Sequence, residues 1–181
     1  MRAKRYTSEG VVIARRDYSE ADRFLVVLSK RYGKVTLLAK GVRKPISKKR
    51  GALEIFSLIK FAASRGKSFD YVTETQLINS FENIRKDLKR TAVAYFLLEV
   101  VAKLTQEDEK QDGIYSLLLD NLKRIEYADY LKKLRKDFIY DSLVELGFWP
   151  QGKRMDTPDK LLESITEREL SSFRVGKKML V

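Results

Sequence analysis

The spacing of apolar residues changes near residue 80, from the alternation typical of strands to the three- and four-residue spacing typical of helices. Before this point, five short apolar runs are separated by turn-forming residues. They cover residues 10–15, 24–29, 34–40, 53–63 and 69–78. Five strands joined by short turns are too few for a typical sandwich and suit a small closed barrel.

After this point, the apolar spacing predicts three helices, over residues 84–104, 114–125 and 131–146. Ile84, Leu88 and Tyr95 are expected on the apolar face of the first of them. Pro158 can begin a short fourth helix, because its fixed φ suits the first helical position. Thr166 and Glu169 have the spacing of a capping box, which predicts a last short helix.

The two halves also differ in charge. Residues 1–80 contain 18 of the 37 Lys and Arg residues and 7 of the 25 Asp and Glu residues, a net charge of +11. Residues 81–181 contain the remaining 19 bases and 18 acids, a net charge of +1. Attraction to phosphates is long-ranged and additive, so a basic half beside a nearly neutral half indicates a nucleic-acid-binding module joined to a second domain.

Positive charge is densest in residues 40–50, which contain six bases and no acid. Glycine and proline within this stretch favour a loop, for which phosphate contact is expected and a merely solvated loop is the alternative. Arg15 and Arg16 are further candidates, although Asp17 and other acids nearby can pair with them instead. The main candidates for phosphate contact are Lys34, Lys40, Arg43, Lys44, Lys48, Lys49 and Arg50.

Aromatic residues in the basic half are candidates for base stacking, as in proteins that bind single strands. Packing in the barrel core is the alternative for any one of them. Tyr18 and Tyr32 fall in predicted turns and are therefore the better stacking candidates. The other aromatic candidates are Tyr6, Phe24, Phe56, Phe69 and Tyr71.

The chain contains no Cys and no His. This excludes disulfides, thiol nucleophiles, imidazole bases and the usual zinc ligands, so we expect neither a metal nor another cofactor. Phosphate-binding glycine motifs of nucleotide enzymes are also absent, so enzymatic activity is not expected, and only lysine or carboxylate chemistry stays open. No run approaches ~18 apolar residues, and no apolar segment of a signal peptide follows the N-terminus, so a cytoplasmic protein without a membrane span is expected.

Several short motifs follow one another in a definite order through the first hundred residues. They lie in Glu9–Ile13, Asp17–Arg23, Tyr32–Lys34, Ala39–Lys44 and Gly51–Phe56. In order and spacing, they resemble the opening strand, the D-Y-x-E-A-D-R turn, the G-K and A-K-G-x-R-[KR] segments and the G-x-L-x-x-F element of the RecO family of bacterial recombination-mediator proteins. Leu146-Gly147-Phe148 and Pro150 resemble the end of the family's central helix.

The resemblance implies an α+β protein with an N-terminal five-stranded OB-fold β-barrel over residues 1–80, followed by a small α-helical domain over residues 81–181. It also implies a non-enzymatic mediator that binds single- and double-stranded DNA and promotes strand annealing. Such a mediator works with RecR to help RecA load onto DNA coated by single-strand-binding protein (SSB). An OB-fold protein that binds RNA or the ribosome is the alternative, because charge and fold suit it equally well.

The helical half adds one partner and two departures from the family. The family binds the acidic, apolar tail of SSB with its helical region, which makes Arg135 and Lys136 candidate contacts; a basic solvated helix face is the alternative. Many members carry a four-cysteine zinc module where residues 152–156 have no Cys or His. The chain is also shorter than a typical member, so its binding to RecR and SSB stays open.

Overall fold

The computed structural model describes residues 4–47 and 49–166, which form two compact units. The first unit consists of the residues up to 80 together with residues 106–112. The second consists of residues 81–105 and the described residues from 113 onward. We call them the strand unit and the helical unit. Residues 106–112, which the sequence places in the helical half, therefore belong to the strand unit.

Five strands form the strand unit, as the sequence predicts. They are β1 (Arg5–Asp17), β2 (Arg23–Ser29), β3 (Gly33–Ala39), β4 (Leu58–Ser64) and β5 (Asp70–Asn79). The sheet closes into a barrel in the order β1-β2-β3-β5-β4, with β4 pairing back to β1. All neighbouring pairs are antiparallel except β3 and β5, whose parallel contact joins Leu37 to Asp70 and Leu38 to Tyr71.

β1 closes the barrel because it is long enough to pair on both sides. Residues 5–11 pair with β4, and residues 10–17 pair with β2. The register with β2 shifts between Val12 and Ala14, which marks a bulge. A bulge bends its strand and increases the local twist, so it lets β1 leave one neighbour and join the other.

The barrel interior is filled by alternate residues of each strand. β2 contributes Leu25 and Val27, and β3 contributes Val35 and Leu37, all of them buried. Burying a side chain of this size stabilises the fold by roughly 1.5–3 kcal/mol. The intervening residues on β2 and β3 point away from the barrel interior, although Phe24, Leu28 and Leu38 among them are also buried.

The fourth predicted strand begins later than its alternation indicates. Residues 53–57 are turns and a connecting segment, and β4 starts only at Leu58. Phe56 has φ of 72°, in the left-handed region, which a strand does not allow. Leu53 instead packs with Val42 in the barrel core. The loop that precedes β4 is therefore anchored by its own apolar residues.

Residues 106–112 pack along β3 at Gly33. The Asp108 N–H donates to the carbonyl of Lys34 at 2.9 Å, and the Thr36 hydroxyl donates to Glu107 Oε1 at 2.7 Å. Gly33 has φ of +68°, and a Cβ at this position would lie 1.8 Å from the Glu109 carbonyl oxygen. Only glycine permits both this conformation and this close approach.

The helical unit contains five helices in its described part. They are α1 (Glu82–Lys86), α2 (Leu88–Leu104), α3 (Asp112–Ile125), α4 (Leu131–Glu145) and α5 (Pro158–Thr166). The second, third and fourth predicted helices are thus confirmed as α3, α4 and α5. Gly147 follows α4 with φ of +76°, as is common where a helix ends. The predicted capping box at residues 166–169 extends outside the described residues.

The single helix predicted over residues 84–104 is wrong, because Asp87 divides it into α1 and α2. Asp87 is extended, with φ of −126°, and its carboxylate accepts the Arg90 N–H at 2.9 Å. This is the N-cap of α2, and it resets the helical phase. Leu88 and Tyr95, which were expected on the apolar face, are exposed, whereas Ile84 is buried as expected. Within the described chain, none of the helices has the length and apolar character that a membrane span requires.

Candidate nucleic-acid interface

A row of paired residues crosses the outer face of the barrel on four neighbouring strands. Arg16 on β1 lies opposite Phe24 on β2, Phe24 lies opposite Leu38 on β3, and Leu38 pairs with Tyr71 on β5. Residues that pair across strands project to the same side of a sheet. The row therefore places one cation, two aromatic rings and an aliphatic side chain on the side of the sheet opposite the barrel interior, where Phe24 and Leu38 are themselves buried.

Two further rings extend this row at the ends of the strands. Tyr18 lies in the connection between β1 and β2, and Phe69 lies in the connection between β4 and β5. Their ring centroids are 4.7 Å and 4.8 Å from that of Phe24, both in edge-to-face geometry. Phe24 is only 8% exposed, whereas Tyr18 is 56% and Phe69 42% exposed. We call these three residues the aromatic platform.

Four of the predicted phosphate contacts remain accessible among the residues that the structure describes. The Lys40 Nζ lies 4.5 Å from the centre of the Tyr71 ring, a cation–π contact that leaves its charge exposed. Arg16, Lys44 and Arg50 are also exposed, and none has an ion-pair partner among the residues that the structure describes. Base stacking needs accessible rings and phosphate binding needs accessible cations, and this face supplies both.

Short turns give the loop over residues 40–50 a defined shape. The Lys44 N–H donates to the Gly41 carbonyl at 3.2 Å, and the Ser47 N–H donates to the Lys44 carbonyl at 3.0 Å. The Arg50 N–H donates to the Ser47 carbonyl at 3.3 Å. The apolar tip of the loop, Ile46, is 88% exposed. Lys48 lies outside the described residues, and its predicted phosphate contact stays a prediction.

Two predicted DNA contacts are paired with acids instead of being left accessible. Arg15 forms an ion pair with Glu54. Arg43 lies 3.5 Å from Asp17 and donates to the Ser19 carbonyl at 2.6 Å. The hydrogen bond from Arg23 lowers the pKa of Asp17 below its usual value, and the charges of Arg23, Arg43 and Arg15 lower it further. These pairs hold the connection that carries Tyr18.

Two other predicted contacts are held within the barrel structure. The Lys49 Nζ donates to the Val72 carbonyl on β5 at 3.2 Å. Lys34 is half-buried beside Glu107, and its burial lowers the pKa of the ammonium group despite that carboxylate. Whether these two lysines also contact DNA stays a prediction.

The aromatic candidates separate into core and surface residues. Tyr6 and Phe56 are buried, and Tyr32 packs edge-on against Tyr6 with their centroids 4.7 Å apart. Tyr18 and Phe69 are the exposed ones, held by Phe24. The sequence did not identify this grouping, although the alternation along β2 already places Phe24 on the side opposite Leu25 and Val27.

In the helical unit, Arg135 has a structural role. It forms an ion pair with Asp159 of α5, and its guanidinium lies 3.9 Å from the centre of the Phe96 ring of α2. Lys136 is exposed. A groove with a volume of about 300 Å³ lies elsewhere in this unit, lined by both charged and apolar residues. Among them are Arg124, Tyr130, Lys133 and Leu134.

The Arg135→Ala variant is expected to destabilise the helical unit by about 2–3 kcal/mol, because it removes both an ion-paired hydrogen bond and a cation–π contact. Urea unfolding followed by far-UV circular dichroism measures this change. Lys136→Ala is the matched control on the next residue and should unfold like the parent protein. Equal stability of both variants would contradict the structural role of Arg135.

In residues 4–47 and 49–166, no group of three His, Cys, Asp or Glu side chains is arranged to hold a metal ion.

Comparison with known proteins identifies two matching families along the chain. Residues 1–81 match the family described as "Recombination protein O N terminal". Residues 85–154 match the family described as "Recombination protein O C terminal". The two matches together include most of the described chain and both of its units.

Individual relatives agree with these matches. A DNA repair protein RecO of Pelotomaculum thermopropionicum is 33% identical over 147 residues, which is 81% of this chain and 57% of that protein. A DNA repair protein RecO of Desulforudis audaxviator is 34% identical over 149 residues, 82% of this chain and 59% of that protein. The chain thus spans less than two thirds of the length of the relatives it matches.

Proposed function

The chain belongs to the RecO family of DNA repair and recombination proteins, and from this premise we propose that its strand unit is an OB-fold that binds single-stranded DNA across the aromatic platform. The single observation that carries the proposal is the position of that platform. In OB-folds, oligonucleotides bind the face of strands 2 and 3 and the loops that join strands 1–2 and 4–5. Phe24, Tyr18 and Phe69 occupy these three positions.

Each part of this surface has a separate task in binding. Tyr18 and Phe69 stack on bases, and each stacked base contributes about 1–3 kcal/mol. Arg16 and Lys40 border the rings, and Lys44 and Arg50 extend the positive charge along the loop, so that these four cations neutralise backbone phosphates. Sequence preference is weak, because every base has a face to stack and phosphates carry no sequence information.

The same surface supports annealing, the second part of the proposed function. Two complementary strands repel each other through their phosphates, and a protein with a net charge of +11 over residues 1–80 screens that repulsion. We therefore propose that the protein binds single- and double-stranded DNA and promotes pairing without catalysing a covalent step. Its site of action would be the DNA of the cytoplasm.

The protein partners are proposed from family membership. With RecR, the protein would assist RecA loading onto DNA coated by SSB. Arg135 is already paired with Asp159, which leaves it less suited to the acidic tail of SSB. In the groove beside Tyr130, Lys133 is likewise already paired, with Asp137. Lys136, which is exposed, stays a candidate contact for that tail.

The test is the salt dependence of DNA binding, measured by fluorescence anisotropy of a labelled single strand. For the double variant Lys44→Ala/Arg50→Ala, we expect weaker binding and a slope of log affinity against log salt that is shallower by about 1.4, since each lost phosphate contact removes about 0.7. Adding the complementary strand to the same samples measures annealing. An RNA competitor of equal length tests the preference for DNA.

The matched control removes two bases of the helical unit, as Lys123→Ala/Lys160→Ala, and should keep the parent slope. An unchanged slope in the Lys44/Arg50 variant would remove the loop from the interface. Absence of strand binding by the parent protein at low salt would overturn the proposed function. Tighter binding to RNA than to DNA would favour an RNA-binding role.

A further inference from the structure

The strand unit also contains a concave site, which shares no residue with the aromatic platform or with the loop over residues 40–50. It is a pocket of about 230 Å³ next to the segment 106–112. Its walls combine basic and aromatic side chains with one carboxylate. The residues that matter are Tyr6, Arg31, Tyr32, Arg65, Asp108 and Lys110. Neither the family matches nor the proposed strand binding assigns this pocket a role.

Arg65 carries an unsatisfied hydrogen-bond donor in the wall of the pocket. Its Nε is buried and has no hydrogen-bond partner among the described residues. The nearest carboxylate oxygen, Asp70 Oδ2, lies 4.0 Å from Nη1, which is beyond hydrogen-bond range. A buried donor without an acceptor destabilises a protein, so in a native structure it calls for an explanation such as a water, an ion or a functional role.

Asp70 is occupied by Tyr6 and so does not supply that acceptor. The Tyr6 hydroxyl donates to Asp70 Oδ2 at 2.7 Å. Burial raises the pKa of Tyr6, and this hydrogen bond raises it further, so the ring remains a neutral phenol. The Arg65 guanidinium lies 5.1 Å from the centre of the same ring, which holds the arginine in the pocket.

The remaining charges favour an anion. Arg31 is exposed and has no ion-pair partner in the part of the chain that the structure describes. The Lys110 Nζ lies 2.6 Å from Asp112 Oδ2, and this ion pair weakens the attraction of Lys110 for a bound anion. Asp108 is an acid in the wall, against three bases. Guanidinium groups bind phosphates and carboxylates through planar, paired hydrogen bonds, and a phosphate has three acceptor oxygens with which to engage two arginines.

We propose that this pocket binds a single nucleotide, with the phosphate at Arg65 and Arg31 and the base against Tyr32. Tyr32 is half-buried and is held edge-on by Tyr6, which fixes its ring in the wall. At about 230 Å³ the pocket lies just below the roughly 300–1,000 Å³ usual for drug-sized ligands, so it holds no more than one nucleotide. The nucleotide is either free or the 5′-phosphorylated end of a DNA strand.

The test is titration calorimetry of the whole chain with deoxyadenosine monophosphate. Arg65→Met should weaken binding about ten- to a hundredfold, because it removes the charged donors to the phosphate. Lys67→Met, in the same β4–β5 connection but outside the pocket, should bind like the parent protein. Tyr32→Leu keeps an apolar contact with Tyr6 but removes the ring, so it should weaken the nucleotide and leave inorganic phosphate unaffected.

Thermal unfolding of each variant shows whether it is folded. If Arg65→Met does not fold, Tyr32→Leu still tests the proposal. A strand with a 5′-phosphate that competes better than its 5′-hydroxyl counterpart would identify the DNA end as the source; equal competition would identify the free nucleotide. No binding of the nucleotide, or equal affinity for inorganic phosphate, would overturn the proposal. If Tyr18→Ala/Phe69→Ala loses nucleotide binding and Arg65→Met keeps it, the nucleotide binds the aromatic platform and the pocket proposal is overturned. This conclusion holds whatever the outcome for strand binding.

Discussion

Replacing Tyr18 and Phe69 together with alanine is expected to lower the affinity for single-stranded DNA by about thirtyfold or more. Each ring that stacks on a base contributes about 1–3 kcal/mol, and about 1.4 kcal/mol corresponds to a factor of ten. Both side chains are exposed, so the variant should unfold at nearly the parent temperature. Fluorescence anisotropy of a labelled oligothymidylate at constant salt measures the change.

The matched control removes two rings of the helical unit that are also exposed, as Tyr127→Ala/Tyr130→Ala. This variant should bind DNA like the parent protein. Phe24 is left in place, because it is 8% exposed and its removal would disturb the barrel as well as the platform. If the Tyr18/Phe69 variant keeps the parent affinity, DNA does not use this face, and binding through the basic loop alone would be the remaining explanation.

Leu53→Ala is expected to lower the free energy of unfolding by about 2–5 kcal/mol, the range for removing a fully buried leucine side chain. Leu53 has no exposed surface and packs in the barrel core, although it belongs to a loop. The variant therefore leaves a cavity in the core and also loosens the attachment of the loop that carries Lys44 and Arg50. Chemical unfolding monitored by circular dichroism gives the change.

Ile46→Ala is the control for this variant, since it removes a comparable side chain from the exposed tip of the same region. Its free energy of unfolding should stay within about 0.5 kcal/mol of the parent value. A loss of stability similar for both variants, or absent from both, would show that Leu53 does not anchor the loop in the core.

The spacing of apolar residues and the positions of turn-forming residues account for most of the order of strands and helices. Strands with alternating or β-branched residues, such as β2 and β3, were predicted to within two residues of their ends, because turn-forming residues bound both. Pro158 marked the start of α5 for a similar reason, since proline suits a first helical turn.

The errors arose where one local signal conflicts with a tertiary one. Residues 53–57 continue the alternation of β4, but burial of Leu53 and the left-handed φ of Phe56 end the strand before Leu58. Asp87 interrupts a regular apolar pattern because its side chain caps α2. In both segments the residues that decide the conformation are visible in the sequence. The spacing of apolar residues alone does not show whether the local pattern or the competing contact is stronger.

Local chemistry sufficed to predict that the first half would be a basic barrel with five strands, since charge density and strand period are properties of consecutive residues. It did not show which cations are accessible. Arg15 pairs with Glu54 and Arg43 with Asp17, although these acids lie far from them in the chain. Arg16 has no such partner among the described residues, because strand pairing decides which charges become neighbours. The aromatic platform likewise forms only when the fold brings Tyr18, Phe24 and Phe69 together. Ring stacking and ion pairing depend on distances of a few ångströms, and separation along the chain does not determine those distances.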